Sequence, residues 1–204
     1  MDFKDKVLAE LTARIRDLEA QVESHVSEQR SRFHFTVERN RIRFENGVLA
    51  GQRAFRRGLW RQLRDSPLPF VLVSPVIYSL IVPLALLDLA VALYQATCFR
   101  VYGVQPVPRS DFVVVDRHHL GYLNPLEKVN CAYCSYANGV IGLTREVAAR
   151  TEEYWCPIKH ARPVATPHAR YVHFVDYGDA EGYRQRQETL RHHASGPNDP
   201  PPKV

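Results

Sequence analysis

Three cysteines and a histidine carry the most specific chemistry in this sequence, spaced Cys131-x2-Cys134-x21-Cys156-x3-His160. Two thiolates two residues apart grip one ion from a tight turn. A Cys-x3-His pair on one turn of backbone supplies the other two corners of a tetrahedron. Soft sulfur and imidazole donors suit zinc, so a structural site of three cysteines and one histidine is expected, with Gly139 helping the chain turn back. Other chemistries remain open for the same residues. The Cys131/Cys134 pair suits a redox dithiol at a helix start, where the dipole lowers a thiol pKa. Three thiolates and an imidazole can also hold an iron–sulfur cluster, and the bland alternative is that the cysteines are buried apolar side chains. His118 or His119 could replace His160 as the fourth ligand. Cys98 stands apart, at the end of a hydrophobic block.

Asp116, His118 and His119 are weak candidates for catalysis, with Tyr122, Asn124 and Lys128 close in sequence. Phe112-Val113-Val114-Val115 reads as a short buried strand leading into them. Neighbouring side chains on a strand point to opposite faces, so the two histidines would not readily serve one site. No Gly-rich phosphate loop, nucleophile elbow or His-Glu-x-x-His helix occurs in the sequence.

The elements that must position these groups begin with the hydrophobic block. Phe70 through Phe99 contains one charge, Asp88. About 20 apolar residues cross a bilayer as a helix, so the block is long enough for one crossing and too short for two. Pro75 and Pro83 each remove a helix hydrogen bond and favour a kink. Asp88 is costly there, about 2.5–3.5 kcal/mol near a helix centre, and should face protein or the interface, for instance bonding Tyr78 or Tyr94. Arginines flank both sides. The larger cluster comes first, so a single crossing would place the N-terminus in the cytoplasm and the cysteines outside. A helix-break-helix wedge in one leaflet would keep both flanks cytoplasmic, which suits clustered thiols. The second arrangement is slightly favoured.

Upstream, Leu8, Leu11, Ile15, Leu18 and Val22 form a short heptad seam on an amphipathic helix, able to pack on its own chain or on a second copy. Arg32–Glu38 and Arg41–Glu45 alternate apolar and polar residues on either side of Arg39-Asn40, the pattern of a small β-hairpin. From Val48 to Leu63 the period is helical again. Arg53, Arg56, Arg57, Arg61 and Arg64, with Trp60, make a basic amphipathic helix suited to anionic headgroups. The net charge of +5 fits that partner, and adjacency to a membrane segment argues against nucleic acid. A second helix is expected from about Val140 to Tyr154. Arg162, His168, Arg170, Tyr171 and His173 form a basic, aromatic patch that would meet headgroups, an acidic partner or only solvent. The Pro-rich end reads as a disordered tail.

The motifs Ile77-Tyr78-Ser79-Leu80-Ile81-Val82-Pro83-Leu84, Asp116-Arg117-His118-His119-Leu120, Tyr122-Leu123-Asn124, Glu127-Lys128, Asn130-Cys131 with Tyr133-Cys134, and Tyr154-Trp155-Cys156-Pro157-Ile158-Lys159-His160 resemble those of a family of small, uncharacterised bacterial membrane proteins. The resemblance runs from about Ser74 to Tyr183 and implies a bacterial membrane location. It supports the three cysteines as one unit and brings no activity.

The expected architecture is mainly α, with one kinked transmembrane or re-entrant segment and a small α+β metal-stapled unit. Its divisions are a helix over 1–31, a hairpin and basic helix over 32–66, a membrane segment over 67–99, a metal-binding unit over 100–191 and a tail over 192–204. The leading functional expectation is a non-enzymatic adaptor or assembly protein at a bacterial inner membrane. Its N-terminus would be cytoplasmic, a protein partner would dock at the membrane, and the N-terminal helix would allow homo-oligomers. The alternatives are a membrane-bound redox protein and a zinc hydrolase acting on a lipid-like substrate.

Overall fold

The computed structural model describes residues 3–38, 41–45 and 47–194. The fold is mainly helical and divides into two units. The first is Met1–Asp65 with Asp116–Lys128, and the second is Ser66–Val115 with Val129–Val204.

The first unit opens with α1 (Phe3–Arg32), 30 residues and so about 45 Å long. Strands β1 (Phe35–Glu38) and β2 (Arg41–Phe44) follow as an antiparallel pair, with Phe35 opposite Phe44 and Val37 opposite Ile42. The alternation in the sequence is therefore realised as the expected hairpin, and its two phenylalanine rings meet 6.0 Å apart. The expected basic helix is split into α2 (Val48–Arg53) and α3 (Leu59–Asp65). Phe55-Arg56-Arg57-Gly58 interrupts it, because Gly58 and the adjoining arginines gain no packing there that would offset the cost of helix.

Residues 116–128 complete this unit. Gly121 donates its N–H to the Gln52 side chain at 2.8 Å. A Cβ at Gly121 would lie 2.9 Å from the Leu49 carbonyl oxygen, so glycine permits that close approach. Asn124 is 1% exposed and starts α7 (Pro125–Trp155). Its Oδ1 accepts the Glu127 N–H at 3.0 Å, while the Glu127 carboxylate accepts the Asn124 N–H at 2.9 Å. This is a reciprocal capping box with proline at the first helical position. The Asn124 amide also donates to the Gln62 side chain and to the Arg57 carbonyl.

The second unit is built on α4 (Leu68–Ser79) and α5 (Ile81–Tyr94), a π-helical turn over Gln95–Phe99, and α6 (Arg100–Tyr102). Leu80 keeps right-handed backbone angles and accepts the Leu84 N–H at 3.2 Å. The helical course continues through it, so Leu68–Tyr102 forms one 35-residue apolar helix. Gly103, at φ 68°, ends the helix with the left-handed conformation that glycine adopts without penalty. α7 packs alongside through a core of Val91, Phe99, Val107, Leu143 and Val147, bordered by Leu87, Tyr94, Val104 and Phe112. α8 (Ala180–Ala194) closes the described chain.

Several expectations are corrected. Phe112–Val115 is irregular rather than a strand, and the only sheet among the described residues is the hairpin, beside one parallel bridge from Ile158 to Val175. The helix expected from Val140 begins 15 residues earlier and contains both Cys131 and Cys134. Gly139 makes no turn. It lies inside α7, where a Cβ would stand 2.7 Å from the Phe112 carbonyl oxygen and 2.8 Å from the Val113 Cα. Residues 116–128, expected within a single unit over 100–191, join the N-terminal unit instead. The expected tail begins inside α8, and 195–204 lie outside the described residues.

Candidate functional site

The four expected metal ligands are not brought together. Cys131 and Cys134 lie one turn apart on α7, partly buried and exposed respectively. Cys156 follows the end of that helix, and at 1.5 Å per residue it is about 30 Å along the axis from Cys134. Tetrahedral zinc needs all four donors within about 2.3 Å of one ion, so this set does not fit one. An iron–sulfur cluster fails on the same separation. Among the described residues, no group of three or more His, Cys, Asp or Glu side chains is placed to hold a metal ion.

The segment around Cys156 has a packing role. Pro157 is fully buried, and its carbonyl accepts the Val175 N–H at 2.9 Å. Lys159 pairs with Asp176 at 2.8 Å, while His160 donates its backbone N–H to the Tyr171 hydroxyl at 2.7 Å and stacks on that ring. Burial, reinforced by the Glu152 carboxylate, holds the Cys156 thiol above its ordinary pKa. That is the protonated, less nucleophilic form. The Cys131/Cys134 pair sits in a helix interior rather than at a helix start.

His118 and His119 are exposed on a 3₁₀ turn, Arg117–His119, with ring centroids 3.9 Å apart. Asp116 caps that turn without a side-chain hydrogen bond. The basic patch expected at 162–173 is partly turned inward. Arg170 bonds Glu153 at 2.6 Å and Glu146 at 3.2 Å, and His168 meets Glu152 at 3.1 Å. Arg150 also holds Glu146 at 2.9 Å. Burial raises the Glu146 pKa, but the Arg150 and Arg170 guanidiniums outweigh it and leave the carboxyl below its ordinary value. Nothing in the sequence spacing marked these α7 carboxylates as the partners of Arg170.

What the structure does leave open is apolar. Leu68–Tyr102 is long and apolar enough to cross a membrane, and none of its most apolar stretch is buried within the protein. Leu72, Val76 and Leu80 are all more than half exposed. α5 differs in having a covered side: Leu87, Val91 and Tyr94 face the core, while Leu86, Leu89 and Leu93 remain exposed. Asp88 is held on that covered side by Arg109 at 2.8 Å and by the Tyr136 hydroxyl at 3.1 Å. The expected partners are used elsewhere, Tyr78 on Asn130 and Tyr94 on Thr151. Directly upstream in sequence, Arg53, Arg56, Arg57, Arg61 and Arg64 are exposed, as are Phe55 at 82% and Trp60 at 84%.

Comparison with models of known families, with curated proteins and with solved structures returns no match. The geometry alone carries the functional reading.

Proposed function

We propose that this protein is a non-enzymatic, membrane-attached adaptor or assembly factor. The observation that carries it is the apolar helix Leu68–Tyr102, whose most apolar stretch the protein leaves uncovered. Water penalises that surface by roughly 25 cal/mol per Å², and an exposed patch of this extent needs a lipid or protein cover. Arginines and a tryptophan immediately upstream suit the headgroup layer that borders an acyl phase. Attached in this way, α7 and α8 offer a rigid, charge-studded helical surface to a protein partner at the membrane. The reading rests on attachment and scaffolding.

The test is flotation of the purified chain with anionic vesicles, before and after a high-salt wash. The wild-type chain should stay bound through the wash, because apolar insertion is insensitive to screening. Leu72→Glu with Val76→Glu should release most of the bound fraction. Full release of the wild-type chain by salt would discard insertion.

A further inference from the structure

We infer that the apolar helix enters only one leaflet and leaves both of its flanks on the same side of the bilayer. The inference rests on the membrane reading above and concerns its geometry. Its basis is that the chain before the helix and the chain after it are joined by hydrogen bonds. Gln52 accepts from Gly121, and the Arg57 carbonyl and Gln62 side chain accept from Asn124. Residues 52–62 precede the helix and residues 121–124 follow it. A helix crossing once would separate them by the thickness of a hydrocarbon core, about 30 Å.

A second crossing that brought the chain back would restore the contact, but no segment can make it. α7 runs in the same direction as α5. Tyr78 meets Asn130, Asp88 meets Tyr136, Tyr94 meets Thr151 and Tyr102 stacks on Tyr154. The return journey therefore falls entirely to residues 103–120. That segment is irregular apart from two short 3₁₀ turns, with Arg109, Ser110 and Asp111 exposed. Irregular backbone facing lipid would leave N–H and C=O groups unsatisfied, which excludes it from the hydrocarbon. Leu68–Tyr102 is also the one segment among the described residues that is long and apolar enough to cross.

The surface follows the same logic. α4 is apolar and exposed over nearly all its length, whereas α5 has one open side and one covered by protein. A helix lying in the plane of the headgroup–acyl boundary needs such an open side, with basic residues and tryptophan at headgroup level. The occupant of this face is thus the outer acyl region of a leaflet, and the run of arginines directly before the helix in sequence favours an anionic one.

The deciding experiment uses the full chain with its four native cysteines changed to serine, carrying Ser24→Cys and Glu188→Cys, one in each flank. After reconstitution into anionic vesicles, a membrane-impermeant polyethylene-glycol maleimide is added from outside. Same-side flanks give molecules with two labels or none, whatever the mixture of orientations. One label on every floating molecule would overturn the inference while leaving membrane attachment intact. Failure to float, with the chain instead dimeric, would assign the apolar face to a second copy and overturn both. If the serine variant misfolds, trypsin on vesicles bearing the unaltered chain answers the same question. Same-side flanks predict molecules that are either intact or cut on both flanks. Protected fragments retaining one whole flank would refute it.

Discussion

At the scale of single residues, the four expected ligands lie apart along and beyond α7, while a glycine and an arginine make contacts whose energetics can be tested. Gly139 admits the Phe112–Val113 backbone against α7. In an ordinary exposed helix, glycine to alanine stabilises by up to about 1 kcal/mol. Here the added methyl meets backbone atoms, so Gly139→Ala should destabilise by roughly 1–3 kcal/mol in chemical denaturation. Stabilisation by that variant would mean the segment does not approach α7 so closely. Arg170 joins two carboxylates of α7 while about one-fifth exposed. Arg170→Ala lies between the exposed and the buried ion-pair regimes and should cost about 2 kcal/mol. The same network sets a pH response. Glu146 titrates below its usual value in the folded state, so its contribution is present above the unfolded-state pKa near 4.5. That contribution is lost as pH falls through the folded value. Stability should decline below about pH 4.5, and less steeply in Arg170→Ala.

At the scale of elements, how much could be read depended on whether the signal was local. The hairpin was legible because period-two alternation belongs to the strands themselves. The hydrophobic helix was legible because fourteen of its residues in α5 carry a single charge. The start of α7 carries two competing local signals. Asn124-Pro125-x-Glu127 is a complete helix-start signal, whereas Cys-x2-Cys spacing suits a tight turn and one turn of helix equally. Once α7 is continuous, the two ends of the supposed metal site are held apart by the helix itself. Cys131→Ser should therefore leave folding and helicity nearly unchanged, with less than about 1 kcal/mol lost. One zinc per chain, removed by both Cys131→Ser and His160→Ala, would require a different path for residues 131–160. The ion pairs of Asp88 and Arg170 were illegible because their partners lie 21 and 17 residues or more away, in elements whose packing no local pattern encodes. The seam on α1 stands between these cases. Ile15, Leu18 and Val22 are all more than half exposed, while the side chains of Leu8 and Leu11 lie outside the described residues. A second copy of α1 would cover that seam. Sedimentation should then show an oligomer that Leu18→Glu with Val22→Glu reduces to monomer.

At the scale of the whole molecule, the proposed attachment to lipid would combine two forces with different signatures. In that reading the apolar helix would supply a term that salt does not screen, and the arginines before it about 1 kcal/mol each near an anionic surface. Changing Arg53, Arg56 and Arg57 to glutamine should weaken binding to anionic vesicles several-fold or more and leave binding to neutral vesicles nearly unaffected. Equal loss on both would mean the arginines act through folding.

The N-terminal unit is assembled from two stretches of chain with the apolar helix between them. A growing polypeptide leaves the ribosome from its N-terminus, and segments fold as they appear. The apolar helix therefore emerges while Gln52, Arg57 and Gln62 still lack the hydrogen-bond donors that residues 121 and 124 will provide. A nascent chain halted at residue 115 would carry the lipid-seeking segment whole but not the clasp that ties its two flanks together. On the proposed one-leaflet arrangement, sidedness would be fixed only after residues 121–124 are made, and the order in which membrane and clasp capture the helix would become part of how the protein is made.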